Sequence, residues 1–305
     1  MHKLLLPVFA LMLAACQPGT EPAEVPDSSA ETPAAPESEP VSEQDSLAAV
    51  LAAQPDDSKA RYQYRHPKET LEFFGIEPGM TVVEGLPGRG WYTKLLLPFL
   101  GSEGHLIGAN YAVEMYPLFS FVTEEMLAQQ KAWLVDWPAG AEEWRGEVGA
   151  TIAAFHFGSM PDDMAGTADA AFFARVLHNL ARFETAGEGD FLTVALADTY
   201  NALKPGGILG VVQHHARDDM PDDWADGSNG YLKKQFVIDQ VEAAGFEFVA
   251  ESDINANEKD QPTTDDIVWR LPPTLFTSKD NPELRAQYEA IGESNRMTLK
   301  FRKPE

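Results

Sequence analysis

Short β-branched or apolar runs alternate along this chain with longer stretches of helical periodicity. Asp57 and Ser58 can cap a helix through KARYQYRHPKETLEFF. A break is expected near His66-Pro67, because a residue before proline avoids the helical region. Gly75 and Pro78-Gly79 end that helix, and TVVE (Thr81 to Glu84) reads as the first strand. A glycine-rich turn and an apolar helix, WYTKLLLPFL, follow. HLIGANY (105–111), ATIAAFHF (150–157) and ADAAFFARV (168–176) read as strands two to four. A helix from Phe191 to Leu203 ends in the turn Lys204-Pro205-Gly206-Gly207. The run ILGVVQHH after it has the continuous apolar character of a strand buried on both faces. YLKKQFVIDQVEAAG is a helix stopping at Gly245, FEFVAES a sixth strand and RMTLKF a seventh. In the last, Met297, Leu299 and Phe301 face one way and Arg296, Thr298 and Lys300 the other. Seven strands alternating with helices predict an α/β open sheet.

The amino-terminal pattern is different. Lys3, an apolar run from Leu4 to Ala15 and small residues before Cys16 have the layout of a secretory signal peptide, too short for a permanent span. Leu13-Ala14-Ala15-Cys16 resembles a bacterial lipobox. That resemblance implies a signal peptide over 1–15, cleavage before Cys16, and lipidation of Cys16 that anchors the chain to a membrane. Gln17 carries no acid of the inner-membrane retention type, so the expected location is the outer membrane, facing the periplasm. From Gln17 to Ser46 there are six prolines and eight acidic residues, with no basic or aromatic residue. Such a segment buries too little apolar area to offset its ordering, and 16–46 reads as a tether to a folded domain over 47–305.

Composition narrows the chemistry. The net charge of −25 argues against nucleic acid as a partner. A single cysteine excludes an internal disulfide framework and a thiolate metal cluster. In open α/β sheets ligands bind beyond the carboxyl ends of the strands, where strand order reverses. After the first strand comes EGLPGRGW, whose G-x-x-G-x-G spacing differs from the G-x-G-x-x-G of dinucleotide loops. Glycine there would let backbone amides approach a ligand, beside the carboxylate of Glu84. After the fourth strand comes RVLHN with His178, and after the fifth QHH with His214. Either histidine would serve as a base near neutral pH, or would simply cap a helix or bond a carbonyl. A metal is not expected, since consecutive histidines on a strand point to opposite faces. Arg65 is a candidate partner for a ligand carboxylate or a surface charge. Trp91 and Tyr92 suit the core better than a ligand. Trp269 to Pro273 would wall a substrate pocket or form a rigid turn, and the paired aspartates suit solvated loops.

The segments HPKETLEFFGIEPGMTVVEGLPGRGWYTKLLLPFL, LKPGGILGVVQHH, VEAAGFEFVAES, VWRLPPTL and SNRMTLKFRKP together resemble predicted methyltransferases of bacterial exported proteins. These are a branch of the class I S-adenosylmethionine-dependent superfamily, and the likeness spans nearly all of residues 57 to 303. The resemblance implies a Rossmann-like seven-stranded sheet, mostly parallel with an antiparallel last strand and helices on both faces. It also implies methyl transfer from S-adenosylmethionine to a small-molecule acceptor. By the same likeness Arg65, Glu84, Gly85, Pro87, Gly88 and Gly90 would hold the methionine end, Asn110 and Tyr111 the ribose, and His178 or His214 would be catalytic. Two positions depart from the family pattern: Leu86 stands where glycine is usual, and Asn110 where an acid is usual. They favour the alternative, a fold that has lost the methyl donor and binds another small molecule or an envelope partner.

Overall fold

The computed structural model describes residues 43–305. The signal segment, Cys16 and the tether as far as residue 42 lie outside the described residues. The described chain opens with four helices, α1 (Glu43–Ala53), α2 (Asp56–Lys59), α3 (Tyr62–Arg65) and α4 (Pro67–Phe74). The break expected before Pro67 is present. His66 takes a left-handed conformation, φ +39°, between α3 and α4.

The sheet follows as β1 (Thr81–Gly85), α5 (Thr93–Leu100), β2 (His105–Asn110), α6 (Glu124–Arg145), β3 (Thr151–His156) and β4 (Ala168–Ala174). After these come α7 (Leu177–Thr185), α8 (Phe191–Ala202), β5 (Leu203–His214), α9 (Lys234–Ala243), β6 (Glu247–Ser252), α10 (Pro282–Ile291) and β7 (Arg296–Arg302). Strand order is β3-β2-β1-β4-β5-β7-β6. β1 to β5 pair in parallel, and β7 runs antiparallel to both β5 and β6. The order reverses between β1 and β4, and that is where a ligand crevice belongs.

Alternation along the strands builds a core on each face. Val83, Ala171, Phe173, Val211 and Leu299 pack with α7, α8 and α9. Val82, Ala170, Phe172 and Val212 pack with α1, α4, α5 and α6. Met297, Leu299 and Phe301 of β7 join the first cluster, as the two-residue period predicts. On its other face Arg296 and Thr298 are buried, and Lys300 Nζ donates to the Phe73 carbonyl at 3.0 Å.

The structure corrects two readings. Lys204 to Gly207 do not precede β5 but bulge from within it, since Leu203 already pairs with Ala168 and pairing resumes at Ile208 with Ala170. The bulge is held by Gly206 N–H on the Lys303 carbonyl at 3.0 Å and Lys303 N–H on Gly207 at 2.9 Å. The second concerns α6, a 22-residue helix where the expectation was a helical or loop connection of no stated bounds. It buries few residues and carries Pro138 in its interior, so it shows no clean apolar stripe. Among the described residues no helix is long and apolar enough to cross a membrane.

Candidate functional site

Both strands flanking the reversal end in a non-glycine residue held left-handed: Leu86 after β1 at φ +49° and Arg175 after β4 at φ +67°. Such conformations cost an L-residue roughly 1–3 kcal/mol and persist where the surroundings impose them, often at functional sites. Two cavities open here, and Leu86 borders both.

The larger, about 610 Å³, lies beyond β1 and β2. The loop after β1 contributes Gly88 and Arg89, and the end of β2 contributes Asn110 and Tyr111. The turn after it adds Tyr116 and Phe119. One wall comes from α6, whose Met126, Gln129, Gln130 and Trp133 fall at the i, i+3, i+4, i+7 spacing of a single helix face. No reading of the sequence reached these four residues, although that spacing is the signal that would have found them. Among the described residues no carboxylate lines this cavity. Asn110 is heavily engaged within the protein. Its Oδ1 accepts from Tyr111 N at 2.9 Å and the Tyr116 hydroxyl at 2.8 Å, and its Nδ2 donates to Gln130 Oε1 at 3.1 Å. One amide hydrogen remains for a ligand. Burial pushes the Tyr116 hydroxyl up to about 12 and the Tyr111 hydroxyl upward as well, so both stay protonated.

Several expected ligand contacts sit elsewhere. Glu84 is buried beneath the loop and borders neither cavity. It accepts from Thr93 Oγ1 at 2.7 Å, and burial pushes its carboxyl up to about 8, so it is largely neutral at pH 7. A β-carbon on Gly85 would meet Phe173 at 2.6 Å and one on Gly90 would meet the Trp144 ring at 2.3 Å. Those two glycines therefore make room for the protein's own rings. Pro87 is buried and borders neither cavity. Gly88, at φ +57°, is exposed, and a β-carbon there would meet only the Leu86 carbonyl at 3.7 Å, an ordinary contact. Arg65 is 2% exposed, and its Nε pairs with Glu293 at 3.2 Å instead of facing a ligand site. Its guanidinium also lies over Trp91, which packs edge-on against Tyr62 and Tyr92 in the core.

The smaller cavity, about 220 Å³, lies beyond β4 and β5. Here the two histidines do meet, with ring centroids 5.6 Å apart. His214 Nδ1 shares a 2.6 Å hydrogen bond with the Ser294 hydroxyl, and His178 Nδ1 lies 3.5 Å from Gln213 Nε2. Burial, with nearby Arg175, holds His178 down to about 4. Burial and the neighbouring His178 hold His214 well below the ordinary histidine value. Both rings are neutral at pH 7 and are weak proton acceptors. Trp269, Leu271, Pro272 and Pro273 form the opposing wall, with Trp269 edge-on to His178. Glu293, which no motif singled out, and Ser294, the first residue of SNRMTLKFRKP, complete it. His215 points away, into a separate depression near β6. No group of three or more His, Cys, Asp or Glu among the described residues is placed to hold a metal ion.

No protein-family model and no curated protein matches this chain. Solved structures do. An S-adenosylmethionine-dependent methyltransferase from Aquifex aeolicus is 20% identical, over 66% of this chain and 93% of that one, with a TM-score of 0.41. A structure from Bacillus halodurans described as a methyltransferase is 15% identical, over 79% and 100%, at 0.44. The cyclase SpnF is 17% identical, over 79% and 80%, at 0.45. The sheet order and the antiparallel β7 are those of the Rossmann-like seven-stranded sheet that the sequence resemblance implied.

Proposed function

We propose that the protein transfers a methyl group from S-adenosylmethionine to a small acceptor, and that it works as an outer-membrane lipoprotein anchored through Cys16 and facing the periplasm. The observation that carries the reading is the pair of adjoining cavities at the strand reversal, parted by Leu86. The larger is of a size that takes a nucleoside, within the roughly 300–1,000 Å³ of ordinary ligand pockets. Gly88 offers an open backbone approach, and Asn110, Gln129 and Gln130 offer amides to hydroxyl groups. Tyr111, Phe119 and Trp133 offer ring faces to a nucleobase or to a sulfonium. The donor would supply an activated methyl group. The protein's part is to hold donor and acceptor in register and to exclude water, and such positioning accounts for much of a bimolecular barrier.

Calorimetry with S-adenosylmethionine and S-adenosylhomocysteine tests the reading: saturable heat from both is expected, and none at millimolar ligand overturns it. Metabolic labelling with palmitate tests the anchor. Incorporation that disappears in Cys16→Ser is expected, and labelling that survives the substitution refutes it.

A second reading, a binding protein that no longer takes the methyl donor, is favoured by one specific observation. The larger cavity offers a cationic ligand no carboxylate, and the amide at the ribose position is nearly saturated. Binding of adenosine with equal affinity to S-adenosylmethionine would favour it, because the cationic portion would then contribute nothing.

A further inference from the structure

The smaller cavity sits against a charge imbalance. Four guanidinium groups, from Arg61, Arg65, Arg175 and Arg296, surround the single carboxylate of Glu293, in a protein of net charge −25. Three of them saturate it. Arg61 donates to Oε1 from Nε at 2.7 Å and Nη2 at 2.5 Å, Arg65 Nε reaches both oxygens at 3.2 Å, and Arg296 Nη1 reaches Oε2 at 3.1 Å. Arg175 is the remainder. It lines the cavity, and among the described residues its side chain has no hydrogen bond or ion pair. Behind it, Arg65 Nη1 and Arg296 Nε are buried donors without a partner. Arg175 is half-buried, and a partly desolvated positive charge with no paired counter-ion favours an anion beside it. The left-handed backbone at Arg175 holds that charge at the mouth of β4 at a further conformational cost.

We propose that this cavity binds a small organic carboxylate, with its ionised oxygens on Arg175 and its apolar body against Trp269 and the Pro272-Pro273 wall. A planar guanidinium fork matches the two oxygens of a carboxylate. A phosphate dianion would call for a second free cation, and the lining provides one arginine, two neutral histidines and the already paired Glu293. The volume of about 220 Å³ limits the ligand to a small acid. Binding stands independently of the methyl donor; only the acid's role as acceptor rests on the function proposed above. Such an acid is ionised before it arrives, so it brings no proton for His178 or His214 to remove.

The experiment is calorimetric titration of the protein, without S-adenosylmethionine, using benzoate, acetate, benzamide and inorganic phosphate. Benzoate is expected to bind more tightly than acetate, and benzamide, which has the same shape without the charge, at least about tenfold more weakly than benzoate. Arg175→Gln should weaken benzoate by about tenfold or more. Arg175→Lys, which keeps the charge but loses the fork, should fall between. Equal binding of benzoate and benzamide, tighter binding of phosphate than of either acid, or no binding of any probe at millimolar concentration overturns the proposal. An unaltered benzoate affinity in Arg175→Gln does the same. Should Arg175→Gln not fold, the benzoate–benzamide comparison on the unaltered protein decides. Failure here leaves the methyl-donor titration standing, and failure of that titration leaves this one interpretable.

Discussion

Glu84 and His178 are buried titratable side chains whose charged forms the fold disfavours, and they bound its stability from opposite sides. Glu84, raised from 4.5 to about 8, gives its full contribution below its unfolded value, and that contribution is lost as pH rises through about 8. His178, lowered from 6.5 to about 4, contributes fully above its unfolded value and loses that contribution as pH falls through about 4. Stability should therefore decline on both sides of a mildly acidic optimum. Denaturant melts across pH check this. Glu84→Gln, whose side-chain oxygen can still accept from Thr93, should flatten the alkaline decline by a few kcal/mol and leave the acid arm in place. A wild-type curve that is flat between pH 5 and about 8 would refute the assignment.

Among the elements, the loop between β1 and α5 shows how one residue type serves two purposes within six positions. Gly90→Ala would drive a β-carbon into Trp144 of α6 at φ +75°, and should destabilise the protein by about 2–4 kcal/mol. Gly88→Ala, also left-handed but meeting only the Leu86 carbonyl at an ordinary 3.7 Å, should cost about 1 kcal/mol. Equal losses in chemical denaturation would refute that division. It also marks how far the sequence could be read. The seven strands were legible because β-branched and apolar runs between turn residues have few other uses. Whether Gly85 and Gly90 yield to a ligand or to Phe173 and Trp144 was not legible, because those rings come from distant parts of the chain. The long helix α6 escaped notice because its inward face is short and partly amide-lined. Arg175 stands in RVLHN and Glu293 just ahead of SNRMTLKFRKP, far apart in the chain, and only the packing of β4 and β7 side by side with β5 brings them to one cavity.

Across the whole molecule, Glu293 fastens the amino-terminal helices to the last strand. Arg61 and Arg65 belong to the segment around α3, Arg296 opens β7, and Arg296 also reaches the Tyr64 carbonyl. Glu293→Gln would leave those guanidinium groups buried without a counter-charge and should destabilise the fold by about 3–5 kcal/mol. Proteolysis should then cut first between α1 and α4. Unchanged unfolding midpoints would show the cluster to be dispensable.

The insertion of β7 between β5 and β6 has a consequence for how the protein comes into being. A chain emerging amino end first can zip its parallel half together as it appears, yet β6 must wait, because β7, its one partner among the described strands, is made after it. Arginines near α3 likewise stay without their shared counter-ion. Until β7 docks, that border of the sheet stays open, so the parallel half can form well before the fold locks.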